Sequence, residues 1–222
     1  MREKTNFYNR LKIFVVLGIV VWLFPACNGM FGFIYDEPIV DSEYGFIEFN
    51  SVKNTGTVYV DARSYTQWIY LDFEGQTIDS VDFVNNPKPE PARWDIALHR
   101  YDVKTNGGEA LSTEYNDFNQ LWNLSGLPAG TFKPDQQNDS VLISFDMSNG
   151  NLQYFPSHLN RVFNWVTFSL ETMPPTYSDN LNFFIVRLKN GKLLALRLES
   201  YTNDQALKGF MTIKYCYPLE FN

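Results

Sequence analysis

Short runs rich in valine, isoleucine, phenylalanine, tyrosine and tryptophan recur along this 222-residue chain, and turn-forming residues separate them. Residues of these types favour β-strands, whereas asparagine, glycine and proline favour the turns between strands. Many short strands joined by turns predict a mostly β fold, a single antiparallel domain with one or two short helices. The predicted strands are residues 57–61, 67–74, 94–103, 141–147, 183–189, 192–199 and 210–217.

Turn and helix signals refine this prediction. Asn190-Gly191 lies between two strand-like runs and predicts a hairpin with a two-residue type I′ turn. Residues 86–91 and 125–130 are rich in proline or glycine and are predicted loops, and residues 117–124 favour a short helix.

The first 26 residues have the pattern of an export signal. Four basic residues precede an uncharged apolar run at residues 13–24, which is shorter than the about 20 apolar residues of a membrane span. Ala26 stands directly before Cys27, and this order predicts a lipoprotein signal with Cys27 as the lipid acceptor. Cleavage by an ordinary signal peptidase is the alternative, but the bulky Phe24 occupies a position where that enzyme needs a small residue.

The domain boundaries follow from this signal. We predict a lipoprotein signal peptide at residues 1–26, a flexible tether at 27–50 and one folded domain at 51–222. Cys216 is the only other cysteine of the chain. It lies in a strand-like run, so we expect a small core residue and no disulfide within the chain.

Composition and motifs exclude several functions. The net charge of −7 does not suit the phosphate backbone of nucleic acids, and 45% hydrophobic residues supply a core for a globular domain. The chain has two histidines and lacks the Gly-x-Ser-x-Gly, His-Glu-x-x-His, Cys-x-x-Cys and phosphate-loop motifs. Paired carboxylates occur in any acidic chain, and no pair stands out here. We therefore expect a binding protein rather than an enzyme.

One stretch is more specific than an ordinary strand. Residues 94–108 alternate between apolar and polar side chains and end in Asn106-Gly107-Gly108, which predicts a strand closed by a turn. Their order resembles the HmuY family of haem-binding lipoproteins: Trp-Asp-Ile-Ala-Leu-His-Arg-Tyr-Asp-Val-Lys-Thr-Asn-Gly-Gly. The resemblance extends more weakly from about residue 57 to the C-terminus and implies an antiparallel β domain of the HmuY type.

The resemblance also implies a ligand and its binding residues. HmuY-like proteins hold haem between two axial residues, histidine in some members and methionine in others. Met147 at the end of a predicted strand and Met173 before Pro174-Pro175 are similar in order and spacing to the methionine-using members. His158, in a predicted loop, is the second choice, whereas His99 lies in the stretch at 94–108 and is expected to be structural.

Some alternatives remain open at these positions. Met147 shares a strand face with apolar residues and also suits a core. Met173 precedes proline, which favours an extended backbone outside a sheet interior and hence a pocket or interface. Four aromatic residues either stack on the porphyrin or belong to the core: Tyr154, Phe155, Trp165 and Tyr177.

The function that the resemblance implies is haem capture. A lipoprotein of the outer membrane, on the cell surface, would take haem from solution or from host haemoproteins and pass it to a TonB-dependent receptor for iron acquisition. Two other hypotheses stay open. In the first, the chain is a surface adhesin or a glycan-binding β domain. In the second, it has kept the fold of the family and lost the ability to bind haem.

Thioether ligands predict a characteristic response to redox state and pH. Thioether sulfur is a soft ligand that favours reduced iron, and unlike imidazole, with its pKa of about 6.5, it has no proton to gain near neutral pH. We expect reduced haem to bind more tightly and the Soret band to persist in mildly acidic solution. Loss of that band between neutral and weakly acidic pH, while the protein stays folded, would contradict methionine ligation.

Overall fold

Four antiparallel β-sheets make up most of the regular structure in residues 44–146, 151–169 and 176–221, which this computed structural model describes. All of these residues belong to one compact unit. The prediction of a mostly β domain with a short helix is confirmed. Within the described ranges the elements are β1 (Gly45–Asn50), β2 (Thr55–Asp61), β3 (Gln67–Asp72), β4 (Thr77–Asp82), β5 (Ile96–His99), β6 (Asp102–Thr105), β7 (Glu109–Ser112), α1 (Phe118–Trp122), β8 (Lys133–Pro134), β9 (Gln136–Asp146), β10 (Asn151–Leu159), β11 (Val166–Ser169), β12 (Thr176–Asp179), β13 (Phe184–Arg187), β14 (Leu193–Thr202) and β15 (Lys208–Cys216).

Two larger sheets enclose the main core. In the described chain the strand orders are β1-β2-β15-β14-β13-β7-β8 and β4-β3-β5-β6. Apolar side chains of both sheets belong to one buried cluster, so burial of these two faces is the main stabilising contribution. The members from central strands include Val58, Val60, Ile69, Leu71, Ile96, Leu98, Leu196, Leu198 and Ile213.

The helix α1 covers apolar residues of the seven-stranded sheet. The side chain of Asp117 accepts a hydrogen bond from the backbone N–H of Asn119 at 2.6 Å, and Gln120 Oε1 accepts one from Asp117 N–H at 3.2 Å. This reciprocal capping box starts the helix where the sequence predicts it. Leu121 packs in a second apolar cluster with Cys216, which is 2% exposed and is the small core residue expected.

The stretch at residues 94–108 is a hairpin and not the single strand predicted over residues 94–103. His99 of β5 lies opposite Asp102 of β6, which leaves Arg100 and Tyr101 as a two-residue turn. Arg100 has a φ of 55°, which is a left-handed conformation that glycine usually adopts in such turns. The prediction was wrong because this turn contains neither glycine nor asparagine.

The hairpin of β13 and β14 is confirmed, but its turn differs from the predicted type I′ turn. The N–H of Gly191 donates to the carbonyl of Leu188 at 2.9 Å, and Leu188 N–H donates to the carbonyl of Lys192. The loop therefore has three residues, 189–191, with Gly191 at a φ of +83°. This geometry is a turn followed by a glycine bulge, the usual solution for three-residue hairpin loops.

Two further boundaries differ from the sequence prediction. β1 lies within the segment predicted as a tether and pairs with β2, so regular structure begins before residue 51. His158 lies in β10 rather than in a loop, because the register shifts between Phe155 and Ser157 and so accommodates Pro156 within the strand. The loops at residues 86–91 and 125–130 are confirmed.

Cys27 and the signal segment lie outside the described residues. Within the ranges that are described, α1 is too short and no other helix is long and apolar enough to cross a membrane.

Gly108 provides a test of the packing between the end of the 94–108 stretch and β13. A Cβ atom at this position would lie 2.7 Å from the carbonyl oxygen of Arg187. We expect Gly108→Ala to lower the free energy of unfolding by about 1–3 kcal/mol, because the backbone must move to relieve this overlap. The matched control is Gly126→Ala, since a Cβ there meets no described atom within 4 Å. Denaturant unfolding that shows equal stability for the two variants would contradict the packing argument.

Candidate functional site

In chain order, the predicted ligands lie between the strands of two hairpins that are outside the larger sheets. Among the described strands β9 pairs with β10 alone, and β11 pairs with β12 alone. Met147 directly follows Asp146, the last residue of β9, and Met173 falls in the segment that joins β11 to β12. Both methionines lie outside the described residues, so ligation by them stays a prediction. In chain order, each methionine lies between the two strands of a different hairpin.

The β9–β10 hairpin exposes apolar side chains close to that connection. Leu152 and Tyr154 are two residues apart on β10 and therefore share a face, and they are 45% and 49% exposed. Leu142 of β9 lies directly opposite Tyr154. Three apolar side chains on one face of a partly exposed hairpin form a surface that suits a flat apolar ligand.

The other face of this hairpin is anchored to the four-stranded sheet. The ring of Phe155 packs against Phe83 with centroids 5.1 Å apart, and Val141 is fully buried. Arg161, just after β10, lies 3.3 Å from the Asp102 carboxylate and donates to the hydroxyl of Ser140 at 3.2 Å. The hairpin is therefore attached to the sheet through Phe155, Val141 and Arg161, while the face with Leu152 and Tyr154 is partly exposed.

The β11–β12 hairpin is anchored next to the turn of the 94–108 stretch. The indole N–H of Trp165, just before β11, donates to the carbonyl of Tyr101 at 2.9 Å, and Trp165 is fully buried. Trp165 is therefore a core residue. Tyr177 of β12 stacks on Tyr201 with centroids 6.1 Å apart, and Lys208 Nζ lies 3.7 Å from the Tyr177 ring centroid. Desolvation lowers the pKa of Lys208.

His99 is built into the scaffold. It is 1% exposed, and its Nε2 donates to the carbonyl of Tyr65 at 2.9 Å. Its Nδ1 lies 3.7 Å from a carboxylate oxygen of Asp102, and its ring packs against Trp68 and Phe83. A ring with these contacts cannot reach an iron in an exposed slot.

His158 lies at the far end of β10 from Met147. It pairs with Gln137 near the start of β9, whereas Asn151 pairs with Asp146, the residue before Met147. Seven residue steps along an extended strand span about 23 Å. Two axial ligands flank one iron atom, so His158 and Met147 do not suit the same haem.

Lys104, another residue of the 94–108 stretch, is buried inside an aromatic box. Its Nζ lies 4.5, 5.1 and 5.3 Å from the ring centroids of Trp68, Tyr70 and Trp94, and it pairs with the carboxylate of Glu90. Cation–π contacts and the carboxylate offset the cost of burying the ammonium group. Burial and the nearby Glu90 raise the pKa of Tyr70, so its hydroxyl stays protonated. The stretch thus builds the scaffold.

The described residues offer no alternative metal centre. No group of three or more histidine, cysteine, aspartate or glutamate side chains within the described ranges could hold a metal ion. A haem iron with protein ligands from two hairpins does not need such a group.

The family is decided by comparison with known proteins. The sequence model of the protein family that is described as "HmuY protein" matches residues 64–215 of this chain. The chain belongs to the HmuY family. This match covers the scaffold stretch at 94–108, both hairpins and most of the seven-stranded sheet.

Several solved structures are similar to the chain over most of its length. A protein from Bacteroides vulgatus ATCC 8482 described as HmuY-like and haem-binding is 40% identical, with a TM-score of 0.76 over 80% of this chain and 100% of that chain. A protein from Bacteroides fragilis NCTC 9343 described as a lipoprotein is 37% identical, with a TM-score of 0.74 over 80% and 98%. The apo HmuY analog of Tannerella forsythia is 25% identical, with a TM-score of 0.64 over 75% and 97%. No curated protein matches the chain.

The contacts of Tyr177 predict how firmly the β11–β12 hairpin is held. Tyr177→Leu removes the stack on Tyr201 and the contact with Lys208, and we expect a loss of about 1–2 kcal/mol in the free energy of unfolding. Hydrogen exchange at the amides of β11 and β12 should become faster. The control is Tyr154→Leu on the other hairpin, because Tyr154 is 49% exposed. Equal exchange rates in the wild-type and Tyr177→Leu hairpins would contradict this anchoring role.

Proposed function

We propose that this protein binds haem reversibly, with Met147 and Met173 as the axial ligands of the iron. The observation that supports the proposal is that β9–β10 and β11–β12 are separate hairpins, because in chain order Met147 lies between β9 and β10 and Met173 between β11 and β12. Each hairpin packs against the scaffold near the β5–β6 turn, through Arg161 on one side and Trp165 on the other. Ligands from two independently anchored hairpins suit a flat molecule bound between them.

The described residues fit a porphyrin. Haem binding requires an apolar surface for the macrocycle, and Leu142, Leu152 and Tyr154 supply one on the face of the hairpin that the core does not use. Thioether sulfur is a soft ligand, which suits haem iron and in particular reduced iron. Relatives with the same fold support the choice of ligand, since one of them is described as haem-binding.

We further propose that the protein works at the outer membrane as a carrier. Acylation at Cys27 would anchor it to the membrane, and the B. fragilis relative is described as a lipoprotein. The protein would accept haem from solution or from host haemoproteins and pass it to a TonB-dependent receptor. Such a carrier needs tight and reversible binding, and no chemistry on the porphyrin.

Haem titration tests the binding proposal directly. The purified domain is titrated with haem under oxidising and under reducing conditions, and the Soret band is recorded. We expect a saturable shift in both states, with the tighter binding in the reduced state. Met147→Ala and Met173→Ala should each change the spectrum and weaken binding by about tenfold or more, because each removes one ligand of the iron.

The control for these variants is His158→Ala. His158 is the exposed histidine at the far end of β10, so its removal should leave the Soret band unchanged. Loss of the band in His158→Ala, with unchanged spectra in both methionine variants, would refute methionine ligation. No saturable shift in either redox state would refute haem binding itself and would favour an adhesin or a glycan-binding domain.

A further inference from the structure

One buried guanidinium and four tyrosines form a cluster beside the β11–β12 hairpin. Arg100, in the β5–β6 turn, is 8% exposed and lies 4.3 Å from the ring centroid of Tyr65. Tyr201 packs against Tyr101 and Tyr177 with ring centroids 6.5 and 6.1 Å away. We call these five residues the Arg100 cluster.

Two polar groups of the Arg100 cluster are buried and unsatisfied. Arg100 donates through Nη1 to the carbonyl of Arg63 at 2.7 Å, but its Nε has no hydrogen-bond partner in the part of the chain that the structure describes. The hydroxyl of Tyr201, a residue that is 1% exposed, likewise has none there. Buried polar groups are nearly always paired, so two unpaired donors in one cluster indicate a missing acceptor.

The electrostatics of the cluster favour an anionic acceptor. Arg100 is charged at any physiological pH. Burial raises the pKa of Tyr101 to about 12 and raises that of Tyr201, so both hydroxyls remain protonated and can donate. The nearby carboxylate of Asp102 has its own cationic partner in Arg161. A guanidinium with tyrosine hydroxyls is a donor set that suits a carboxylate.

One member of the Arg100 cluster lies close in chain order to Met173, one of the proposed iron ligands. Tyr177 follows Met173 by four residues, which an extended chain covers in at most about 14 Å. Tyr65, Tyr101 and Tyr177 are half-buried, whereas Arg100 and Tyr201 are buried. The carboxylates of haem lie at one edge of the porphyrin, away from the iron.

We propose that the Arg100 cluster binds a propionate carboxylate of haem, an inference that rests on the proposed function. Arg100 supplies the charge, and the Tyr201 hydroxyl supplies a directed hydrogen bond. Binding of the carboxylate would satisfy both buried donors and would orient the macrocycle between the two hairpins. The Arg100 cluster would thereby distinguish haem from porphyrins whose carboxyl groups are blocked.

The test compares haem with haem dimethyl ester, in which both propionates are neutral. Soret titrations are run on the wild type and on Tyr201→Phe, a change that removes one hydroxyl and keeps the ring. We expect the wild type to bind haem about tenfold or more tightly than the ester. Tyr201→Phe should weaken haem binding by about tenfold and leave ester binding unchanged.

The matched control is Tyr215→Phe. The Tyr215 hydroxyl is also buried without a described hydrogen-bond partner, but its ring packs against Phe46 and Phe73 and not in the Arg100 cluster. Haem affinity should therefore be unchanged in Tyr215→Phe, and thermal unfolding checks that both variants fold.

Two different failures can be told apart in this experiment. Equal wild-type affinity for haem and ester, or equal weakening of both by Tyr201→Phe, would overturn the propionate assignment and leave haem binding intact. The absence of any saturable shift with either compound would overturn the proposed function and this inference together.

Discussion

The buried side chain of Arg100 holds the turn on which both hairpins depend. A φ of 55° costs an arginine roughly 1–2 kcal/mol relative to a right-handed conformation. The hydrogen bond from Nη1 to the Arg63 carbonyl and the contact with the Tyr65 ring offset this strain. Because the turn is fixed, the Tyr101 carbonyl is in place to accept the indole N–H of Trp165, and Asp102 is in place to pair with Arg161. One strained turn therefore positions the β9–β10 and β11–β12 hairpins.

The stretch with the strongest family resemblance builds the scaffold, while the candidate binding residues lie elsewhere. His99 is hydrogen-bonded in the core, and Lys104 is enclosed by three aromatic rings and Glu90. Side chains with so many fixed contacts tolerate few substitutions, which makes the stretch easy to recognise. Under the proposed function the hairpins have looser requirements, because a bound ligand would cover the exposed face. The residues that identify the family and the candidate binding residues thus lie in different parts of the chain.

Local signals predicted elements wherever neighbouring residues decide the structure. The capping residues Asp117 and Gln120 start α1, and Asn190-Gly191 forms a hairpin loop even though its turn has three residues. Prediction failed where distant contacts stabilise an unusual local structure. His158 was predicted to lie in a loop because Pro156 precedes it, but a register shift beside Pro156 keeps β10 paired with β9. The Arg100-Tyr101 turn lacks glycine, and its stability comes from Arg63 and Tyr65, more than thirty residues away.

The sequence by itself determined the strand-rich composition and the family resemblance, and it suggested Met147 and Met173 as candidate ligands, since all of these depend on residue type and order along the chain. Tertiary structure decided which side chains are available. Trp165 is part of the core, Tyr154 is exposed, and His158 lies about 23 Å along β10 from Asn151, which pairs with the residue before Met147. Only the fold brings the Arg100-Tyr101 turn together with Tyr65, Tyr177 and Tyr201, because these three tyrosines come from segments far from the turn in the chain. Burial and proximity are properties of the packed chain, and no local pattern encodes them.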